Sequence, residues 1–299
     1  MYSQIDSNKR KTWALMLIFV LVISLLGYVF NMWYGDSSYG ILIIAVIFSL
    51  LGATFSYYSG DKVALASAGA KQIQKMDNPY VYRMVENLCI TSGLPAPKVH
   101  IIPDDSINAF ATGRDPEHAS IAITTGAIDK LTNEELEGVI AHELSHIKNY
   151  DIRLMMIVII CIGIITLLAD WMIRARLYGI GGKKSNDSNS GQLGSIILIV
   201  GLILAILSPI FARLIQFAVS RKREYLADAS GAMLTRYPEG LANALEKIKL
   251  QNKPLKKVNK ATAHLYISSP FLGAKRGLRK AFATHPDIDD RIAKLRNMA

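Results

Sequence analysis

The stretch LTNEELEGVIAHELSHIKNYDIRLMMIVIICIGIITLLA, Leu131 to Ala169, sets two kinds of helix back to back. Its first half is charged and amphipathic. Thr132 and Glu135 have capping-box spacing, and acidic residues fill the first turn, where a helix N-terminus favours them. Its second half, from Leu154, is almost wholly apolar. Within the first half, His142 and His146 lie four residues apart, which puts both imidazoles on one face of a helix. Neutral imidazole is a good zinc ligand. Glu143 stands beside the first histidine and reaches a water at the metal without binding the metal itself. Zinc brings the pKa of such a water to near 7, and the carboxylate takes its proton during attack on a carbonyl.

This is the pattern of a zinc-protease helix. A chain with six histidines and nine glutamates in 299 residues shows it by chance roughly 0.004 times. A catalytic zinc usually keeps three protein ligands and an open position, so one ligand is missing. Asn149 to Arg153 supplies no third histidine. A later segment, REYLAD (Arg223 to Asp228), offers Glu224, with Asp228 one turn on to accept a hydrogen bond from a ligand histidine. On spacing alone a second reading stays open, in which Glu224 pairs with Arg221 or Lys222. A non-catalytic membrane scaffold held together by structural zinc is the reading from a different class. Structural sites are normally closed by four ligands, often cysteines. Neither Cys89 nor Cys161 has ligand spacing, and Glu143 would have no task there.

The apolar residues clump into four runs: Trp13–Phe30, Tyr39–Tyr58, Leu154–Ala169 and Ser195–Ala212. A spanning helix needs about 20 such residues, which the first two satisfy. The fourth does so if Pro209 is tolerated near its end. The third is short, between Arg153 and Asp170, so a hairpin that dips in without crossing stays open. Lys9, Arg10 and Lys11 precede the first run as a signal peptide's basic region would. The run is long for that role, however, and a second follows closely, which favours a retained hairpin. The turn Asn31–Gly40 has no Lys or Arg and carries Trp33, Tyr34 and Tyr39, as a membrane interface does. The tail is therefore expected inside and the turn outside. The net charge is +10, and basic residues flank the runs, which speaks for a bilayer and against nucleic acid. Two isolated cysteines make no disulfide framework.

The expected fold is a mainly α integral membrane protein. Four hydrophobic helices accompany a zincin-like cytoplasmic α+β catalytic domain with a small sheet. Residues 1–60 form the basic tail and first hairpin. Residues 61–153 form the first half of the catalytic domain, residues 154–212 a second hairpin with a mobile loop over 174–194, and residues 213–299 the second half. Helices are expected over Gly60–Gln74 and Asp77–Gly93, the latter with Asn78 as cap, Pro79 in the first turn and Gly93 at the end. Lys98–Ile102 and His118–Thr124 read as strands, and Ile107–Gly113 as extended.

At this point the chain resembles the HtpX-type membrane zinc metalloproteases, in the family that includes the CAAX prenyl endopeptidases. The matching residues are NAFATG (Asn108–Gly113), AHELSHIKNYD (Ala141–Asp151), REYLAD and THPDIDDRIAKL (Thr284–Leu295), with the apolar runs in the same order. The resemblance implies Glu224 as third ligand to one zinc per chain. It also implies endopeptidase activity on misfolded membrane proteins or unfolded polypeptides at the cytoplasmic face of the cell membrane. A narrow processing peptidase for a specific or lipidated substrate is the alternative. Asn108, Ala109 and Phe110 are expected to pair with an extended substrate along an edge strand. His285 is expected to donate to the oxyanion, and Arg291 to contact the same region or to pair with Asp287. His100, His118 and His264 have no partner pattern and read as structural or exposed.

Overall fold

The computed structural model describes residues 2–34, 38–177, 221–251, 265–267 and 286–298. His285, His264, the fourth apolar run and residues 178–194 lie outside them.

Helix α1 (Tyr2–Tyr34) and helix α2 (Gly40–Ala68) open the chain. With 33 and 29 residues they extend about 50 and 43 Å, longer than the ~30 Å hydrocarbon core of a bilayer. Among the described residues these two helices are long and apolar enough to cross a membrane. Leu21, Leu25, Ile44 and Leu51 are each more than half exposed, an apolar belt suited to lipid rather than water.

The separate helix expected over Gly60–Gln74 does not exist. No proline interrupts the run, so α2 continues to Ala68. Gly69 ends it at φ 66, where Gly69 N–H bonds to Ala66 O and Ala70 N–H to Leu65 O. The boundary placed near residue 60 therefore falls inside a helix. Lys71–Gln72 then form a short strand, β1.

Helix α3 (Pro79–Ser92) is capped as its sequence expects: Asn78 Oδ1 accepts from Val81 N–H at 3.1 Å, and Gly93 closes the other end. Strands β2 (Lys98–Ile102), β3 (Ala109–Gly113) and β4 (Ala119–Thr124) join β1 in one sheet of order β1-β2-β4-β3. Strands β2 and β4 run parallel, and the other two pairings are antiparallel. This order leaves β3 at an edge. A short helix, α4 (Thr125–Lys130), leads into α5 (Asn133–Lys148), the helix that carries both histidines. The Thr132–Glu135 capping box is present in both directions.

Leu136, Ile140, Leu144 and Ile147 of α5 are almost completely buried. They share a core with Val85 and Leu88 of α3 and with Ile121 and Ile123 of β4. Burying each such side chain is worth about 1.5–3 kcal/mol, which fixes the rotation of α5. Helix α6 (Asp151–Leu177) starts two residues later. Its Ile157 and Cys161 pack on Phe19 and Ile23 of α1, while Met156 and Ile160 pack on Leu65 of α2 and Phe110 of β3. Helices α7 (Arg221–Thr235), α8 (Pro238–Gln251) and α9 (Ile288–Arg296) complete the described chain. Gly231 of α7 sits against α5, where a Cβ would lie 3.0 Å from His142 N. That close approach brings α7 up to the histidine face. The described architecture is mostly helical with a small mixed sheet.

Candidate metal centre

The two histidines aim at one point. His142 Nε2 and His146 Nε2 are 3.2 Å apart. Two nitrogens bound tetrahedrally to zinc at 2.0–2.1 Å stand about 3.3 Å apart. Glu224, from the first turn of α7, completes the set: Oε1 lies 3.8 Å from His146 Nε2 and Oε2 lies 3.9 Å from His142 Nε2. One ligand atom from each of the three falls within 4.8 Å of the others. Two imidazoles and one carboxylate suit zinc, and three protein ligands leave a fourth position for water or substrate. The donor set and its spacing therefore fit the metal.

Each histidine has its own carboxylate on the far nitrogen. Asp228 Oδ1 stands 2.9 Å from His142 Nδ1, close enough for a strong polar contact although the N–H direction is bent away from the oxygen. Asp151 Oδ2 stands 2.9 Å from His146 Nδ1. An ionised carboxylate only accepts, so each contact puts the proton on Nδ1 and leaves Nε2 free to bind a metal. Burial lowers the pKa of His142 against the raising pull of Asp228. Burial also pulls His146 down, but Asp151, Glu224 and Glu143 outweigh it and lift its pKa to about 9. Metal binding at this imidazole is coupled to proton release, and acid favours loss of the metal.

Asp228 is itself clamped. Arg291 of α9, only 2% exposed, donates from Nε to Oδ2 at 2.9 Å and from Nη2 to Oδ1 at 2.7 Å. Its Nη1 donates to Ile267 O at 3.1 Å and lies 4.0 Å from Glu224 Oε2. Burial raises the carboxyl's pKa, but Arg291 and His142 outweigh it and hold Asp228 down at about 2.

Residues 75–299 match the family model described as Peptidase family M48. The chain belongs to peptidase family M48. A Protease HtpX homolog from Dictyoglomus thermophilum is 43% identical over 297 residues, 99% of this chain and 94% of the relative. One from Caldanaerobacter subterraneus is 43% identical over 298 residues, covering 100% and 98%. One from Streptococcus gordonii is 40% identical over 298 residues, covering all of both chains. The crystal structure of S. mikatae Ste24p shares the fold at a TM-score of 0.52 and 17% identity, over 95% of this chain and 66% of that one. The resemblance read from the motifs is thus upheld along the chain, which is an HtpX-type M48 metalloprotease and a membrane protein.

In this M48 chain Glu143 is 2% exposed and lines a cavity of about 30 Å³ with Ala111, His146, Glu224 and Tyr266. That is room for a water molecule. Burial, with Glu224 adding to it, pushes the Glu143 carboxyl up to about 8, against the opposing pull of His146, the Ala111 N–H and Arg291. The Ala109 carbonyl on the outer edge of β3 accepts from Ile267 N–H at 3.0 Å. By the two-residue period of a strand, the peptide groups of Ala111 face the same way, towards the cavity.

Phe110 is 1% exposed and stacks edge-on against Tyr266 at 5.0 Å. Asn108 is buried, its Oδ1 accepting from Ala109 N–H at 3.1 Å and its own N–H donating to Thr124 Oγ1 at 3.0 Å. Arg291 does not pair with Asp287, which caps α9 by accepting from Asp289 N–H at 2.9 Å. Its guanidinium is committed to Asp228 and Ile267 instead. His100 is buried and His118 pairs with Asp115 at 2.6 Å, both outside the metal site. Sequence reasoning missed Asp151, although it lies in the opening stretch. At five residues from His146 it falls outside helical spacing. It reaches the ring because Tyr150, at φ 58, turns the chain between α5 and α6.

Proposed function

We propose that this chain is a membrane-anchored zinc endopeptidase, holding one zinc per chain and cutting misfolded membrane proteins or unfolded polypeptides at the cytoplasmic face. The observation that carries the reading is the convergence of His142, His146 and Glu224 on one point, with Glu143 buried at the same cavity. Zinc, when bound, supplies Lewis acidity for the scissile carbonyl and makes water acidic enough to be deprotonated near neutral pH. Glu143 takes that proton and delivers it to the leaving amine. The outward carbonyl of Ala111 on β3 accepts from the backbone of an extended substrate and helps set the scissile carbonyl in place. His285 donates to the developing oxyanion. Arg291 serves the reaction by holding Asp228 and Ile267 rather than by touching substrate. The test is cleavage of casein and of a detergent-solubilised membrane protein by the full chain. Cutting stops in chelator and returns with added zinc. Cutting that continues in chelator, in a sample shown to be metal-free, rules the mechanism out. Cutting confined to one peptide or lipidated substrate means narrow processing rather than quality control.

The cell-membrane, multi-pass topology is part of the same proposal. His142 and His146 precede residues 154–212 and Glu224 follows them, so those runs must return the chain to the side from which they left. Four apolar helices with both catalytic halves inside satisfy this. The loop expected over 174–194 begins later, since α6 runs to Leu177; Arg174 and Arg176 at the end of that helix, with Lys183 and Lys184 further along the chain, oppose full crossing by the positive-inside rule. Ligand convergence outweighs that statistical bias. Reporters placed at residues 70 and 240 both read cytoplasmic; opposite readings would separate the ligands and end the single-site reading.

A further inference from the structure

We propose that Asn8, on the first helix, is a positioning residue of the metal centre: it locks Asp151, and Asp151 orients His146. The proposal rests on the zinc site described above. Asn8 lies in the polar, basic segment ahead of the first apolar run, where a side chain is expected to be solvated. It is instead 1% exposed. Its amide Nδ2 donates to Asp151 Oδ1 at 2.7 Å and to Asn149 O at 2.9 Å, so both of its hydrogens are used.

The two oxygens of Asp151 are divided between two tasks. Oδ1 takes the Asn8 amide, and Oδ2 faces His146 Nδ1 at 2.9 Å. The last torsion of an aspartate is broad, so a carboxylate held by the histidine alone could rotate and carry the imidazole with it. A second donor on the other oxygen fixes that rotation. The donor is neutral, which leaves the carboxylate its negative charge for the imidazole. Arg223 Nη1, 3.4 Å from the same Oδ1, adds a cation nearby. The contact with Asn149 O ties the amide to the α5–α6 corner as well. One residue on, Lys9 Nζ sits 4.5 Å from the Tyr150 ring, so α1 grips that corner at two points. Thr12 Oγ1 donates to Asn8 O at 2.8 Å and steadies the turn that carries it.

The first helix is therefore more than a tether. Its inner end belongs to the support of a metal ligand, and zinc affinity depends on where that end sits. The variants are made in the full chain in detergent, and zinc affinity is read by competition with a chromophoric chelator. Melting curves in chelator report the metal-free fold separately. Asn8→Ala is expected to weaken zinc about ten-fold, the lower end of what outer partners of ligands are worth. Asn8→Asp keeps the size but sets a carboxylate against Asp151, and is expected to weaken zinc further. Asp151→Ala weakens zinc by itself, and adding Asn8→Ala to it changes nothing more, because the two act in series. Wild-type affinity in Asn8→Ala, or losses that multiply in the double variant, would overturn the proposal while leaving the zinc site intact. A wild-type chain that holds no zinc would overturn the site and this proposal together.

Discussion

Glu143→Gln folds, inserts and binds its zinc, and cuts no protein above background. Gln has nearly the shape of Glu and keeps an oxygen for the Ala111 N–H that faces the carboxylate. His142, His146 and Glu224 are untouched, and so are the carboxylates behind the two imidazoles. What is lost is the ability to take a proton. Losing a general base alone costs typically 10²–10⁴-fold, and a base that serves both proton transfers is expected at the upper end. The measurement is cleavage rate and metal content on the same detergent samples. A variant that is full of zinc and still cuts at the wild-type rate would remove Glu143 from the reaction. It would also bring back the non-catalytic reading of the site.

Glu224→Ala loses both zinc and activity. The two histidines that remain offer two ligands where catalytic zinc takes three. The loss in affinity should exceed the 10–100-fold typical of an outer partner. Asp228→Ala falls in that lower range for zinc but is the less stable protein. Asp228 and Arg291 are both nearly fully buried and joined by two hydrogen bonds. Removing the carboxylate strands a guanidinium, at a cost of about 3–5 kcal/mol. Asp228→Ala should therefore melt well below Glu224→Ala in chelator, while retaining more zinc when zinc is supplied. Full zinc occupancy in Glu224→Ala would place the third ligand elsewhere.

The sequence by itself determined what local periodicity controls. Four-residue spacing set His142 and His146 on one face, and the Thr132–Glu135 box set where that helix begins. Run length was enough for α1 and α2, because spanning a bilayer is a matter of consecutive apolar residues. Motif resemblance singled out Glu224, which spacing alone had left between zinc and a neighbouring cation. Tertiary structure decided everything that depends on contacts between distant segments. The close approach at Gly231 sets α7 against α5, and that approach puts Glu224 at the site. The left-handed turn at Tyr150 swings Asp151 beneath His146, an angle that no helical period encodes. Arg291 finds Asp228 rather than its near neighbour Asp287, because Asp287 is occupied as a helix cap while Asp228 is a buried anion within two hydrogen bonds of the guanidinium. Asn8 reads as part of a solvated tail until α1 is packed on α6, for a hydrogen bond between residues so far apart in the chain leaves no mark on the sequence around either.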